Sequence, residues 1–373
     1  MIAITKRLLL LSPLALLVRK AFAAGDDVEA PPVAVAPTPI TPEQLAAVTD
    51  RAIEGYLLPA YRSLAEASAA LRAATVAAAP EAPAEPPEAV RAAFAATVAA
   101  FAHVDFLRFG PMAEKGRIER FSYYPDRHGT GARQLRRMLA ETDTALLEPG
   151  AVAKLSAAVQ GMPAYESLVF GASRDAETRA YRWKLAAAIA GNLETIAKET
   201  LDGWTGDSGW AKLMRTPGGS NIVYRDAEEP VIEIMKAITT GLLQVRDQRM
   251  LPAIGADFAS AKPARAAFVP SGNALAYLAA SGRSIEDLAR TADLFSLVPS
   301  EAPRLGAASS KGFAAYQAGL GANATWQDAF ASEAAYAHLR AAFDALKGLE
   351  DLYGYRFPTD AGISPGFNAL DGD

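Results

Sequence analysis

Three stretches of this 373-residue chain bring together side chains able to do chemistry. In Phe101-Ala102-His103-Val104-Asp105-Phe106-Leu107-Arg108-Phe109, Asp105 and Arg108 stand three residues apart. On a helix such a pair shares a face, which offers a polar site to an ion or an anionic ligand. The plainer role is a structural ion pair near a helix end. In Tyr124-Pro125-Asp126-Arg127-His128 a carboxylate and an imidazole could both reach one metal, but two ligands do not make a site. Asp126 also follows a proline and precedes a helix, so a cap or turn is its favoured role. In Gln160-Gly161-Met162-Pro163-Ala164-Tyr165-Glu166, Gly161 and Pro163 interrupt a helical run and Glu166 falls in the first turn after the break. Exposed there, its charge would favour the helix N-terminus by about 0.3–1 kcal/mol. Aimed into a cavity between helices, it would need a partner.

Composition removes most other chemistry. The chain has no cysteine, which excludes disulfides, thiolate metal sites, Fe–S clusters and a Cys nucleophile. Its three histidines, His103, His128 and His338, leave little for multi-His ligation. The two-His helix motif with an embedded Glu is missing, and no phosphate-cradling Gly loop follows a strand. With 37 basic against 42 acidic residues the net charge is -5, which argues against nucleic-acid binding.

The elements that must position these groups read as helices. Leu57, Tyr61, Leu64 and Leu71 recur at helical spacing, as do Tyr181, Leu185, Ile189, Leu193 and Ile196. Thr41-Pro42-Glu43-Gln44 is a capping box. A run from about Ala89 carries Phe94, Val98 and Phe101 and stops or kinks at Gly110-Pro111. Further amphipathic runs cover roughly 130–148, 150–170, 174–201, 226–250 and 326–350, and Ser284-Ile285-Glu286-Asp287 is a helix-start signal. Strand signals are nearly absent, so the expected fold is all-α, with two bundles of mostly antiparallel helices. Residues 1–23 have the basic, apolar and small-residue regions of a cleavable signal peptide, with no cysteine for a lipid anchor. Residues 24–40 form a Pro/Ala-rich tether. The bundles occupy 41–202 and 222–373 on either side of a Gly-rich connection at 203–221. A periplasmic protein with no membrane span in its mature chain is expected.

Several blocks together carry a resemblance. They are Leu57-Leu58-Pro59-Ala60-Tyr61-Arg62-Ser63-Leu64, Leu107-Arg108-Phe109-Gly110-Pro111, Tyr124-Pro125-Asp126, Gln160-Gly161 with Glu166, Arg246-Asp247-Gln248-Arg249-Met250-Leu251-Pro252, and the C-terminal Gly366 to Asp373. In this order they resemble the imelysin-like family over nearly the whole mature chain. The resemblance implies an exported protein of two helical bundles associated with iron uptake, in a family first described as containing a metallopeptidase. The family is marked by Gly-x-His-x-x-Glu, in which His and Glu on one helix face can share a cation. Here Pro163 stands in place of the His, while Glu166 is kept. A proline offers a metal no donor, so the peptidase label does not transfer on the motif.

The leading reading is a non-catalytic periplasmic component of iron or other metal acquisition that works with an iron-uptake membrane complex. Glu166 and Asp105 would be its metal-binding carboxylates, and Arg108, Asp126 and His128 would contact the ligand. Oxygen donors suit ferric iron. A metal-dependent peptidase of the imelysin type and a scaffold that has lost the metal site are the alternatives.

Overall fold

Thr41 opens the first helix as its capping box requires. Its hydroxyl accepts from the Gln44 amide at 3.3 Å, and its own amide donates to Gln44 Oε1 at 2.8 Å. The computed structural model describes residues 39–171 and 176–364. The signal peptide, most of the tether and the block from Gly366 to Asp373 lie outside the described residues.

The helices are α1 (Pro42–Ala52), α2 (Leu58–Ala78), α3 (Glu88–Ala102), α4 (Arg117–Phe121), α5 (Thr130–Glu141), α6 (Met162–Phe170) and α7 (Arg179–Thr205). They are followed by α8 (Trp210–Arg215), α9 (Glu228–Leu243), α10 (Leu251–Ile254), α11 (Ala274–Ala292), α12 (Ala302–Gly321), α13 (Glu333–Asp351) and α14 (Phe357–Ala361). No strand occurs among the described residues, so the protein is all-α.

Three junctions between helices share one device. Ile53–Leu57, Gln244–Met250 and Leu352–Arg356 are π-helical, and each leads into a helix with proline at its second position: Pro59, Pro252 and Pro358. A proline has no amide proton and its ring crowds the carbonyl four residues back. The turn widens in response. The amides of Leu58, Leu251 and Phe357 reach five residues back, to the carbonyls of Ile53, Arg246 and Leu352.

Two groups of helices pack most closely. In the first, α2 lies along α7 and α3, and α6 packs on α7. In the second, α12 pairs with α13, and α11 touches α9 and α12. Helix α1 joins the second group through α9 and α11, and α3 also lies against α11. All described residues belong to one compact unit.

Local signals misplaced some boundaries. Helix α3 ends at Ala102 rather than at Gly110, and the chain continues in tight turns in which Asp105 N–H bonds the Phe101 carbonyl. Much of 150–161 is short 3-10 turn, because Gly161 starts a new helix instead of bending an old one. Ser284 lies in the middle of α11, fully buried, and its hydroxyl donates to the Ala280 carbonyl. That bond satisfies the buried hydroxyl within the helix, and burial of the α11 face decides the outcome. The 203–221 stretch holds the last turn of α7 and the whole of α8, with Trp204 fully buried and stacked on Tyr61 at 5.4 Å.

Glycine lets α11 and α12 approach closely. A Cβ on Gly282 would sit 2.2 Å from Cε1 of Tyr316, a fully buried ring whose hydroxyl bonds the Leu278 carbonyl at 2.7 Å. Gly282→Ala therefore destabilises the protein by about 1–3 kcal/mol in urea unfolding through overpacking. Gly348→Ala, on the exposed side of α13 with nothing near the added carbon, stabilises it by about 0.5–1 kcal/mol.

Candidate functional site

Asp105 is 2% exposed and sits at the centre of a polar cluster drawn from distant parts of the chain. Its Oδ2 accepts from Arg249 Nη2 at 2.7 Å, from Gln244 Nε2 at 2.8 Å and from the Tyr277 hydroxyl. Its Oδ1 is buried with no hydrogen-bond partner. Arg108 lies 3.9 Å from that oxygen and donates through Nε and Nη2 to Gln244 Oε1, at 3.2 and 2.5 Å. Asp105 and Arg108 thus meet as their spacing suggested, but past the end of α3.

The wide turn of 244–250 explains how one element supplies two partners. In an α-helix, residues five apart point about 140° away from each other. The π turn brings Gln244 and Arg249 round to the same carboxylate, as such turns often do at functional sites. Arg249 is 4% exposed and lies 4.7 Å over the Tyr124 ring. Burial opposes its charge, and the Asp105 carboxylate beside it more than restores it, so the guanidinium stays protonated. Burial pushes the Tyr277 hydroxyl well above its ordinary range, so it acts as a donor.

Glu166, 5% exposed, is a second buried carboxylate. Gly161 stands at the N-cap of α6, where its backbone runs against the Phe121 carbonyl, 2.3 Å from where a Cβ would lie. Pro163 fits the first turn of α6, where a missing amide proton is no loss. Glu166 Oε1 accepts from the Ser271 amide at 2.9 Å and from the Ser271 hydroxyl at 2.5 Å. Burial raises its pKa to about 7 against these two bonds. Ser271 and Tyr277 are six residues apart, so the segment entering α11 holds both carboxylates. Phe268 anchors that segment by packing on Tyr277 at 4.9 Å and Phe94 at 6.2 Å.

Asp126 caps α5. Its two oxygens accept from the amides of Thr130 at 2.8 Å and Gly131 at 2.9 Å. His128 is exposed, and its carbonyl accepts from Arg133. His103 ends α3 with its carbonyl on the Tyr56 hydroxyl at 2.9 Å, and burial lowers its pKa. Among the described residues no three His, Cys, Asp or Glu side chains converge as metal ligands. Gln244, Arg249, Ser271 and Tyr277 had no local signal tying them to the site, although Arg249 lies in one of the blocks that carry the family resemblance.

The imelysin family profile matches residues 57–353. The chain belongs to the imelysin family. Its fold is similar to that of an imelysin-like protein from Psychrobacter arcticum, with a TM-score of 0.67 and 18% identity over 89% of this chain and 100% of that one. It is likewise similar to a chain named as an iron-regulated protein A precursor from Parabacteroides distasonis, with a TM-score of 0.68 and 14% identity over 87% of this chain and 96% of that one. No curated protein matches. The side chain of Pro163 has no donor atom for a metal, and Glu166 Oε1 already accepts from Ser271.

The raised pKa of Glu166 makes folding depend on pH. Below about pH 4.5, its unperturbed value, the carboxyl is protonated in both folded and unfolded chains. As pH rises from there to about 7, the unfolded chain loses this proton and the folded chain keeps it, so stability falls by about 3 kcal/mol. Urea unfolding across this window shows that loss in the native protein, and Glu166→Gln removes most of it.

Proposed function

We propose that this imelysin-family protein is an exported, non-catalytic binding component of iron or other metal acquisition. Its ligand face would be the Asp105 cluster together with Glu166. The observation that carries this reading is the buried Oδ1 of Asp105, which has no hydrogen-bond partner and only Arg108 at 3.9 Å, while Oδ2 takes three donors. A buried carboxylate oxygen without a partner costs free energy unless something fills the place. Oxygen donors suit ferric iron, and the name of the Parabacteroides relative points the same way for that protein. Arg108 and Arg249 set two positive charges beside one carboxylate, which favours a metal arriving with its own anionic ligands over a bare cation.

Peptidase chemistry has less support. It needs a metal held by three protein ligands with a general base beside it, and Pro163 removes the motif's nitrogen donor. The signal-like N-terminus supports export to the periplasm. No described helix is long and apolar enough to cross a membrane, so contact with an uptake complex would be made by the folded domain.

Calorimetric titration with ferric and ferrous iron, zinc and copper, each free and as the citrate complex, tests the reading. One iron complex binds per chain, and Glu166→Ala or Asp105→Asn weakens it by about tenfold or more. Unchanged affinity in both variants, or chelator-sensitive turnover of a protein substrate, would overturn it.

A further inference from the structure

A cleft lies within the first helix group, between α2, α7 and the 147–153 loop, with a volume of about 800 Å³. No residue of the Asp105 cluster lines it, and neither do Glu166 and Ser271. Its size is that of a small-molecule pocket, and such pockets combine apolar walls with a few placed polar groups. Val76, Leu147, Val152 and Ala188 supply apolar wall. Val76 is 50% exposed, which is unusual for a large aliphatic side chain here and leaves its surface available inside the cleft.

Three polar side chains give the cleft direction. Asn192 is only 7% exposed, and its Nδ2 donates to the Gln160 carbonyl at 3.0 Å. That bond fixes the amide so that Oδ1 is the free atom, and among the described residues it accepts no hydrogen bond. Arg72 is oriented by Nη1 on Glu194 Oε2 at 2.8 Å, which leaves its Nε and Nη2 edge without a partner among the described residues. This edge has the geometry that receives a carboxylate by two parallel bonds. Lys184 lines the same cleft, exposed and with no ion pair among the described residues. Glu148 is the one acidic lining residue without a partner there, and it weakens the positive rim.

We propose that this cleft binds a small apolar organic carboxylate. Its anionic end meets Arg72 and Lys184, its body covers Val76, Leu147 and Val152, and a hydroxyl or amide N–H on it donates to Asn192 Oδ1. The site is separate from the metal-acquisition reading and stands or falls without it.

Dansylglycine tests this in fluorescence titration of the folded protein, because it carries an apolar ring, a carboxylate and a sulfonamide N–H. It saturates at one molecule per chain, while dansylamide, which lacks the carboxylate, binds about tenfold more weakly. Lys184→Glu weakens dansylglycine by about tenfold and Glu148→Gln tightens it. Ala188→Trp, at a half-buried wall position, abolishes binding with unchanged thermal unfolding. Absence of saturable binding would overturn the proposal. So would equal affinity for dansylamide, or a titration that Ala188→Trp leaves unaltered.

Discussion

Asp105 and Arg249 are two charges removed from water, 2.7 Å apart and 144 positions apart in sequence. Each alone would be costly in the interior, so the chain can bury either only by bringing the other to it. That requirement joins the end of α3 to the π turn after α9. Gln244 and Tyr277 add two more donors to Oδ2 of the carboxylate, and Tyr124 covers the guanidinium. The pair does not have to add net stability to matter. It penalises every arrangement of the two helix groups that leaves one charge without the other.

The three proline-bounded π turns belong to the same account. A regular α-helix through 244–250 would direct Gln244 and Arg249 to different sides. Pro252 disfavours that regular path, and the widened turn presents both residues to one acceptor. Where helix geometry departs from the ideal, the sequence carries the cause, and in this turn the departure places residues of the site. The segment 268–277 then carries the site across to α6 through Ser271 and Glu166.

Helical class and most helix bodies were legible because burial repeats at the helical period, as with Tyr181, Leu185, Ile189 and Leu193, which all prove buried. The capping box of Thr41 and the cap by Asp126 were legible because a cap is complete within five residues. Ser284 carried the same kind of signal and misled, since the tertiary face of α11 outweighed a local preference. Asp105, Arg108 and Glu166 could be picked out by type and spacing. Their partners could not, because nothing periodic relates position 105 to 244, 249 and 277. Family resemblance marked the block around Arg249 without saying what that residue touches.

A double-mutant cycle in urea unfolding tests the central claim most directly, with Asp105→Leu, Arg249→Met and the two combined. Asp105→Leu leaves the buried Arg249 without its carboxylate, and Arg249→Met leaves Asp105 only Arg108 at 3.9 Å, so a loss of about 3–5 kcal/mol is expected for each. The combined variant is then predicted to lose clearly less than the sum, with a coupling above about 2 kcal/mol. Additive losses, with coupling below about 0.5 kcal/mol, would contradict the claim that this pair constrains the structure.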